Sequence, residues 1–105
     1  MKKTVFTGVG TALVTPFDQN LQVDYHQLDT LLEFQIAHGA DAIVICATTG
    51  EASTLTDEEH IRVIAHTVKT VAKRVPVIAG AGSNNTEHAV FLSKESKRVG
   101  ADALL

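Results

Sequence analysis

Two adjacent hydroxyls, a glycine and an acid, Thr48-Thr49-Gly50-Glu51, stand between an apolar run and a helix start. A threonine hydroxyl both donates and accepts, so it can pass a proton between neighbours. Free backbone N–H groups in such a loop can hold a carboxylate or a phosphate. The competing reading is an ordinary polar turn whose hydroxyls satisfy local backbone groups. A second loop, Gly80-Ala81-Gly82-Ser83-Asn84-Asn85, is glycine-rich but lacks the lysine and spacing of a phosphate-binding loop. Gly8-Val9-Gly10 lacks the third glycine of a dinucleotide fingerprint. Both glycine clusters read as tight backbone packing.

Other reactive side chains carry weaker signals. The five histidines, His26, His38, His60, His66 and His88, form no metal-binding spacing, and all five are expected on helix surfaces. No metal and no cofactor are expected. No G-x-S-x-G elbow occurs, so a Ser-His-Asp hydrolase is not expected. The one cysteine, Cys46, lies in the run Ala42-Ile43-Val44-Ile45-Cys46, where a buried, inert thiol is expected. A lone cysteine also suits a reducing compartment, so a cytoplasmic location is the expectation.

The chain that must position these groups has 105 residues, 45% of them apolar, and a net charge of −3. That composition suits one folded domain, here expected to be an incomplete one spanning residues 1–105. It offers no basic patch for nucleic acid. No stretch approaches the roughly 20 apolar residues of a membrane span. Met1-Lys2-Lys3 is not followed by a long enough apolar run or a cleavage site for a signal peptide.

Strand, loop and helix alternate three times. A first strand is expected near Gly8–Val14, ended by Thr15-Pro16. Asp24 caps a helix with an apolar stripe at Leu28, Leu31, Leu32 and Ile36, and Gly39 ends it. Ala42–Cys46 is apolar at every position, as in a parallel strand covered on both faces. Thr56 and Glu59 make a capping box for a helix running through Ile61, Ile64, Ala65 and Val68. Lys69, Lys73 and Arg74 suit its C-terminal end. A third strand is expected at Val75–Ala79, then a helix capped by Asn85 or Thr86 and carrying Ala89, Leu92 and Val99. A fourth strand begins at Asp102-Ala103-Leu104-Leu105. The run Gly39-Ala40-Asp41-Ala42 returns 61 residues later (39 to 100) as Gly100-Ala101-Asp102-Ala103, two periods of about 30 residues. The expected class is α/β: three and a half βα units, the N-terminal portion of a (β/α)8 TIM barrel of about 250 residues. The chain is accordingly expected to be a fragment.

Three runs in order, Gly10-Thr11-Ala12-Leu13-Val14-Thr15-Pro16-Phe17, Thr48-Thr49-Gly50-Glu51, and Pro76–Gly80 with Gly82-Ser83-Asn84-Asn85-Thr86, resemble the dihydrodipicolinate synthase family across the whole chain. These enzymes, the 4-hydroxy-tetrahydrodipicolinate synthases, are pyruvate-dependent class I aldolases. The resemblance implies a lyase that condenses pyruvate with aspartate semialdehyde through a lysine Schiff base, on the route to diaminopimelate and lysine. It implies that Thr48 is the hydroxyl of a proton relay between two tyrosines, and that Thr49, helped by the loop N–H groups, binds the pyruvate carboxylate. The Schiff-base lysine, relay tyrosines and binding arginine fall outside these residues, so the chain alone is expected to be inactive. Lys69, Lys73, Lys94 and Lys97 read as solvated helix lysines. The resemblance also implies a homotetramer and, in some members, a lysine-inhibition site, matched here by Ser53, Asn84 and His88. Inhibited members often carry an acid at the place of His88, so weak or absent inhibition is expected. The family usually has glycine at the place of Ala47. If that residue needed a positive φ, alanine would cost about 1 kcal/mol.

Two alternatives differ in kind. A sibling aldolase, such as N-acetylneuraminate lyase or a keto-deoxy sugar-acid aldolase, would resemble the synthases in the barrel and the Schiff-base lysine but take another aldehyde; the double threonine and the Gly-Ser-Asn-Asn-Thr run favour the synthase. A small non-catalytic α/β module, or an inactive fragment, would need no reacting groups.

Overall fold

A computed structural model describes residues 2–105. Four parallel strands form one sheet in the order β1 (Gly10–Ala12), β2 (Ala42–Ile45), β3 (Val77–Ala79), β4 (Ala103–Leu104). Three helices connect them: α1 (Tyr25–Ala37), α2 (Asp57–Val71) and α3 (Thr86–Arg98). Strand order follows chain order without reversal. That is the wall of a (β/α)8 barrel, since a doubly wound sheet reverses direction at a switch point. The fold class is as expected, though each strand is shorter than its apolar run.

Helix ends follow the local chemistry. Asp24 accepts the Gln27 N–H (3.0 Å), and Asn85 accepts the His88 N–H (3.1 Å). At α2 the capping box is complete: Glu59 N–H donates to the Thr56 hydroxyl at 3.1 Å, and Thr56 N–H donates to the Glu59 carboxylate at 2.9 Å. Helix α2 ends before Lys73 and Arg74, in two left-handed residues, Ala72 (φ 50°) and Lys73 (φ 63°). Arg74 then donates back to the Val71 and Thr70 carbonyls and pairs with Glu33 on α1 at 2.7 Å.

The repeated Gly-Ala-Asp-Ala run has one geometry in both copies. Gly39 and Gly100 take φ of 93° and 103°, closing their helices. Asp41 then accepts the Val9 N–H and Asp102 accepts the Val77 N–H, each at 2.8 Å. Each aspartate thus pins its strand to the start of the strand before it. Gly8 (φ 109°) makes room for the first of these carboxylates, because a Cβ there would overlap Asp41.

The core lies between sheet and helices. Leu28, Leu32, Ile43, Ile45, Val63, Ile64, Val71 and Ala79 are fully buried. Two expectations need correction. The buried face of α2 runs through His60, Val63, Ile64, Thr67 and Val71. Ile61 and Ala65 instead flank a surface groove with Phe91 and Val99 of the α3 segment. Counting apolar residues missed this because His60 and Thr67 occupy core positions. The strands are also not covered on both faces here. Ile43, Ile45, Val77 and Ala79 are sealed, whereas the registered row Ala12, Val44, Ile78 and Ala103 on the other face is exposed or half-buried. In a closed barrel that row faces the interior, and only part of the wall lies within these residues.

Candidate active site

The end of β2 is bent by Cys46, which takes a left-handed φ of 57° directly after Ile45. Ala47 is not in that region, so no strain arises from alanine there. Residues 48–50 form a turn, closed by Glu51 N–H to the Thr48 carbonyl (3.0 Å) and Ala52 N–H to the Ala47 carbonyl (3.3 Å). A short 3₁₀ turn, Ala52–Thr54, leads to α2. Thr15, just beyond the end of β1, clamps the turn: its hydroxyl is buried and donates to the Gly50 carbonyl at 2.7 Å. Gly50 sits close enough that a Cβ would lie 3.1 Å from the Leu13 carbonyl oxygen. Sequence reasoning placed Thr15 in a strand-end loop without seeing this role, because the contact spans 35 residues.

Thr48 and Thr49 differ from their neighbours. The hydroxyls of Thr15, Thr54, Thr56 and Thr67 all bond to the backbone. Among the described residues, the Thr48 and Thr49 hydroxyls and the N–H groups of Thr48, Thr49 and Gly50 bond to no protein partner. Both threonines are exposed. Exposed and without a protein partner, these hydroxyls are free to bond water or a ligand. Thr48 opens onto a cavity of about 390 Å³, shared with Ala47, Ser53, Gly80, Gly82 and Leu105, while Thr49 stands outside its lining. Unpaired N–H groups and hydroxyls in one turn are the kind of donors that an anionic group takes.

The floor of this cavity is tightly built. Gly80 N–H donates to the Ile45 carbonyl (2.8 Å). A Cβ on Gly80 would overlap the Cys46 carbonyl and lie 2.8 Å from the Ala47 Cα. Close packing is thus the role of Gly80, as expected. Gly82 is open, with only the Leu105 carbonyl at 3.9 Å from an added Cβ. The Cys46 thiol is buried, and desolvation pushes its pKa up to about 12. It donates weakly to the His60 carbonyl at 3.7 Å.

The histidines are not all on the surface. His26 and His38 are exposed, and His66 and His88 are half-buried. His60 is buried (4% exposed), with Nε2 2.7 Å from the Gly80 carbonyl. Desolvation by burial holds its pKa below the ordinary 6.5, against the opposing pull of that hydrogen bond. No sequence signal marked His60 beyond its place four residues after a cap.

Ser53, Asn84 and His88 share one end of the molecule but not one cavity. Ser53 lines the Thr48 cavity, Asn84 is exposed in its loop, and His88 lines a separate cavity of about 380 Å³ with Asp57, Asn85 and Phe91. Both His88 ring nitrogens are engaged, Nδ1 with Ser83 at 3.0 Å and Nε2 with Asp57 at 2.7 Å. This Ser-His-Asp chain, unexpected from sequence, is half-exposed, and its serine also accepts the Asn85 N–H (3.1 Å). It ties the N-termini of α2 and α3 together. Lys69, Lys73, Lys94 and Lys97 are exposed, and no lysine among the described residues lines the Thr48 cavity.

Comparison with known proteins agrees with this geometry. The model of the dihydrodipicolinate synthetase family matches residues 5–105. The 4-hydroxy-tetrahydrodipicolinate synthase of Acetivibrio thermocellus is 61% identical over the whole chain, which spans 36% of that relative's length. The structure of a chloride-inhibited dihydrodipicolinate synthase from Acinetobacter baumannii, complexed with pyruvate, superposes with a TM-score of 0.93 at 44% identity. It is matched over 96% of this chain and 34% of its own. The enzyme from Cyanidioschyzon merolae with lysine bound gives 0.91 at 41% identity, over 97% of this chain and 35% of its own. The chain thus spans about a third of the relatives it matches. With a matching family model across the Thr48 turn, its barrel strands and the Gly80 loop, the chain belongs to the dihydrodipicolinate synthetase family.

Proposed function

We propose that these residues are the N-terminal third of a 4-hydroxy-tetrahydrodipicolinate synthase. The whole protein would condense pyruvate with aspartate semialdehyde, in the cytoplasm, as a homotetramer. A lysine amine, supplied by the remainder of the protein, attacks the pyruvate C2 carbonyl and loses water to form an imine. Loss of a methyl proton gives the enamine, whose carbon attacks the aldehyde. Residues 1–105 would form one incomplete domain without that amine, inactive alone.

The observation that carries this reading is the Thr48–Gly50 turn at a barrel strand end, whose hydroxyls and N–H groups take no protein partner among the described residues and whose Thr48 lines a cavity. In this reading Thr49 and the N–H groups hold the pyruvate carboxylate, and Thr48 passes protons between groups arriving from elsewhere in the assembly. The test is turnover of the full-length gene product with both substrates. Thr48→Val is expected to lower kcat by about 100-fold with pyruvate binding retained, the usual scale for a proton-transfer group. Thr49→Val is expected to act mainly on the KM for pyruvate. An unchanged kcat in Thr48→Val would contradict the relay role.

Ser53, Asn84 and His88 remain the proposed effector residues. The His88 ring is already committed to Asp57 and Ser83. A ring so engaged offers an ammonium less than a free carboxylate at that place would. Inhibition of the full-length enzyme by lysine is therefore expected to be weak.

A further inference from the structure

We propose that His60 is the positioning residue of the Thr48 turn, acting through the Gly80 carbonyl and the Cys46–Ala47 backbone. Its catalytic consequence rests on the synthase reading above; its structural consequence does not.

Three elements meet at this residue, one through its side chain and one through its backbone carbonyl. His60 belongs to the first turns of α2, and its Nε2 lies 2.7 Å from the Gly80 carbonyl at the end of β3. A carbonyl only accepts, so Nε2 must carry the proton. The backbone carbonyl of His60 also receives the Cys46 thiol at the end of β2. Gly80 in turn donates to Ile45 and lies against the Cys46 carbonyl with no room for a Cβ. Cys46 is the left-handed pivot at which the chain turns towards Thr48.

The lock is specific in its chemistry. Gly80 is buried, so its carbonyl needs a donor, and an unpaired one is costly. Leucine at position 60 would fill much of the volume and leave that carbonyl unpaired. Asparagine carries its amide nearer the position of Nδ1 and cannot reach. Glutamine can place an N–H where Nε2 stands. The pivot at Cys46 is strained for a residue with a Cβ, and it persists only while its surroundings hold it. Releasing Gly80 removes the surface that the Cys46 carbonyl packs on. The two bonds that close the turn, from the Glu51 and Ala52 N–H groups, then open more often.

The experiment uses the full-length gene product with His60→Leu, His60→Asn and His60→Gln. Amide hydrogen exchange is read at Glu51 and Ala52, relative to buried amides of α2 and β3. The pyruvate concentration giving half-maximal trapping by borohydride is read in parallel. His60→Leu and His60→Asn are expected to raise Glu51 and Ala52 exchange by about tenfold over the core amides, and to weaken pyruvate trapping by about the same factor. His60→Gln is expected to restore both to near the parent value. The proposal is overturned if the turn and core amides accelerate equally, if neither moves, or if His60→Gln behaves like His60→Asn. Should His60→Leu fail to fold, the contrast between His60→Asn and His60→Gln decides the question. If the parent traps no pyruvate, the synthase reading fails, and the exchange measurements still decide the role of His60.

Discussion

Gly80 has no side chain because the Cys46 carbonyl occupies the place a Cβ would take. The obstacle is backbone, not the end of a flexible side chain, so neither partner can step aside cheaply. Gly80→Ala is therefore expected to destabilise the protein by about 3 kcal/mol, the upper range for overpacking. Denaturant midpoints of the two forms check it; a loss below about 0.5 kcal/mol would mean the strand ends separate easily. At this scale the sequence was partly readable. The paired threonines announced themselves by residue type, and the structure adds that their hydroxyls have no local partner. Thr15 and His60 were unreadable because their partners, Gly50 and Gly80, are 35 and 20 residues away. Cys46 read correctly as a buried thiol, but its left-handed backbone did not show, since nothing local favours it.

At the scale of elements, local chemistry specified the helices well. Asp24, Thr56 and Asn85 cap α1, α2 and α3, as their side-chain oxygens and positions imply. Thr56 matters most, because its turn leads from the Thr48 loop into α2. Thr56→Ala removes one bond of the capping box and is expected to cost about 1 kcal/mol of stability. Thermal unfolding of the two forms measures this; an unchanged transition would show that packing alone sets the start of α2. The buried face of α2 was misread because periodicity counts apolar residues. Thr67 is buried by bonding its hydroxyl to the Val63 carbonyl (2.8 Å), and His60 by bonding Gly80. Polar residues that satisfy themselves at core positions leave no apolar signal.

For the molecule as a whole, the repeated Gly-Ala-Asp-Ala run was the strongest guide to architecture. Its two aspartates perform the same pinning step two sheet positions apart, as a repeating βα unit requires. The half-covered row Ala12, Val44, Ile78 and Ala103 was invisible to composition, since apolar residues read alike whether a face is covered or awaits a neighbour. Acid stability also belongs to this scale. His60 is held below its ordinary pKa of 6.5 by burial, so the unfolded chain binds its proton more readily than the folded one. Its contribution is present above pH 6.5 and is lost as pH falls through the lower folded value. Burial alone would raise Asp29, but hydrogen bonds from His66 and Thr70 together outweigh it and hold the carboxyl below 3.8. That contribution is lost only in stronger acid. Unfolding free energy should therefore decline from about pH 6.5 downwards, and His60→Gln should flatten that first decline without touching the second. An unchanged profile in His60→Gln would show that the imidazole is not the group responsible.

On the proposed reading, the Thr48 turn serves a pyruvate Schiff base formed elsewhere in the same protein. The most direct measurement is the intact mass of the full-length gene product after incubation with pyruvate and borohydride. One reduced pyruvate adduct per chain, mapped to a lysine other than Lys69, Lys73, Lys94 or Lys97, is the predicted result. An unmodified protein, or an adduct on one of those exposed helix lysines, would contradict it.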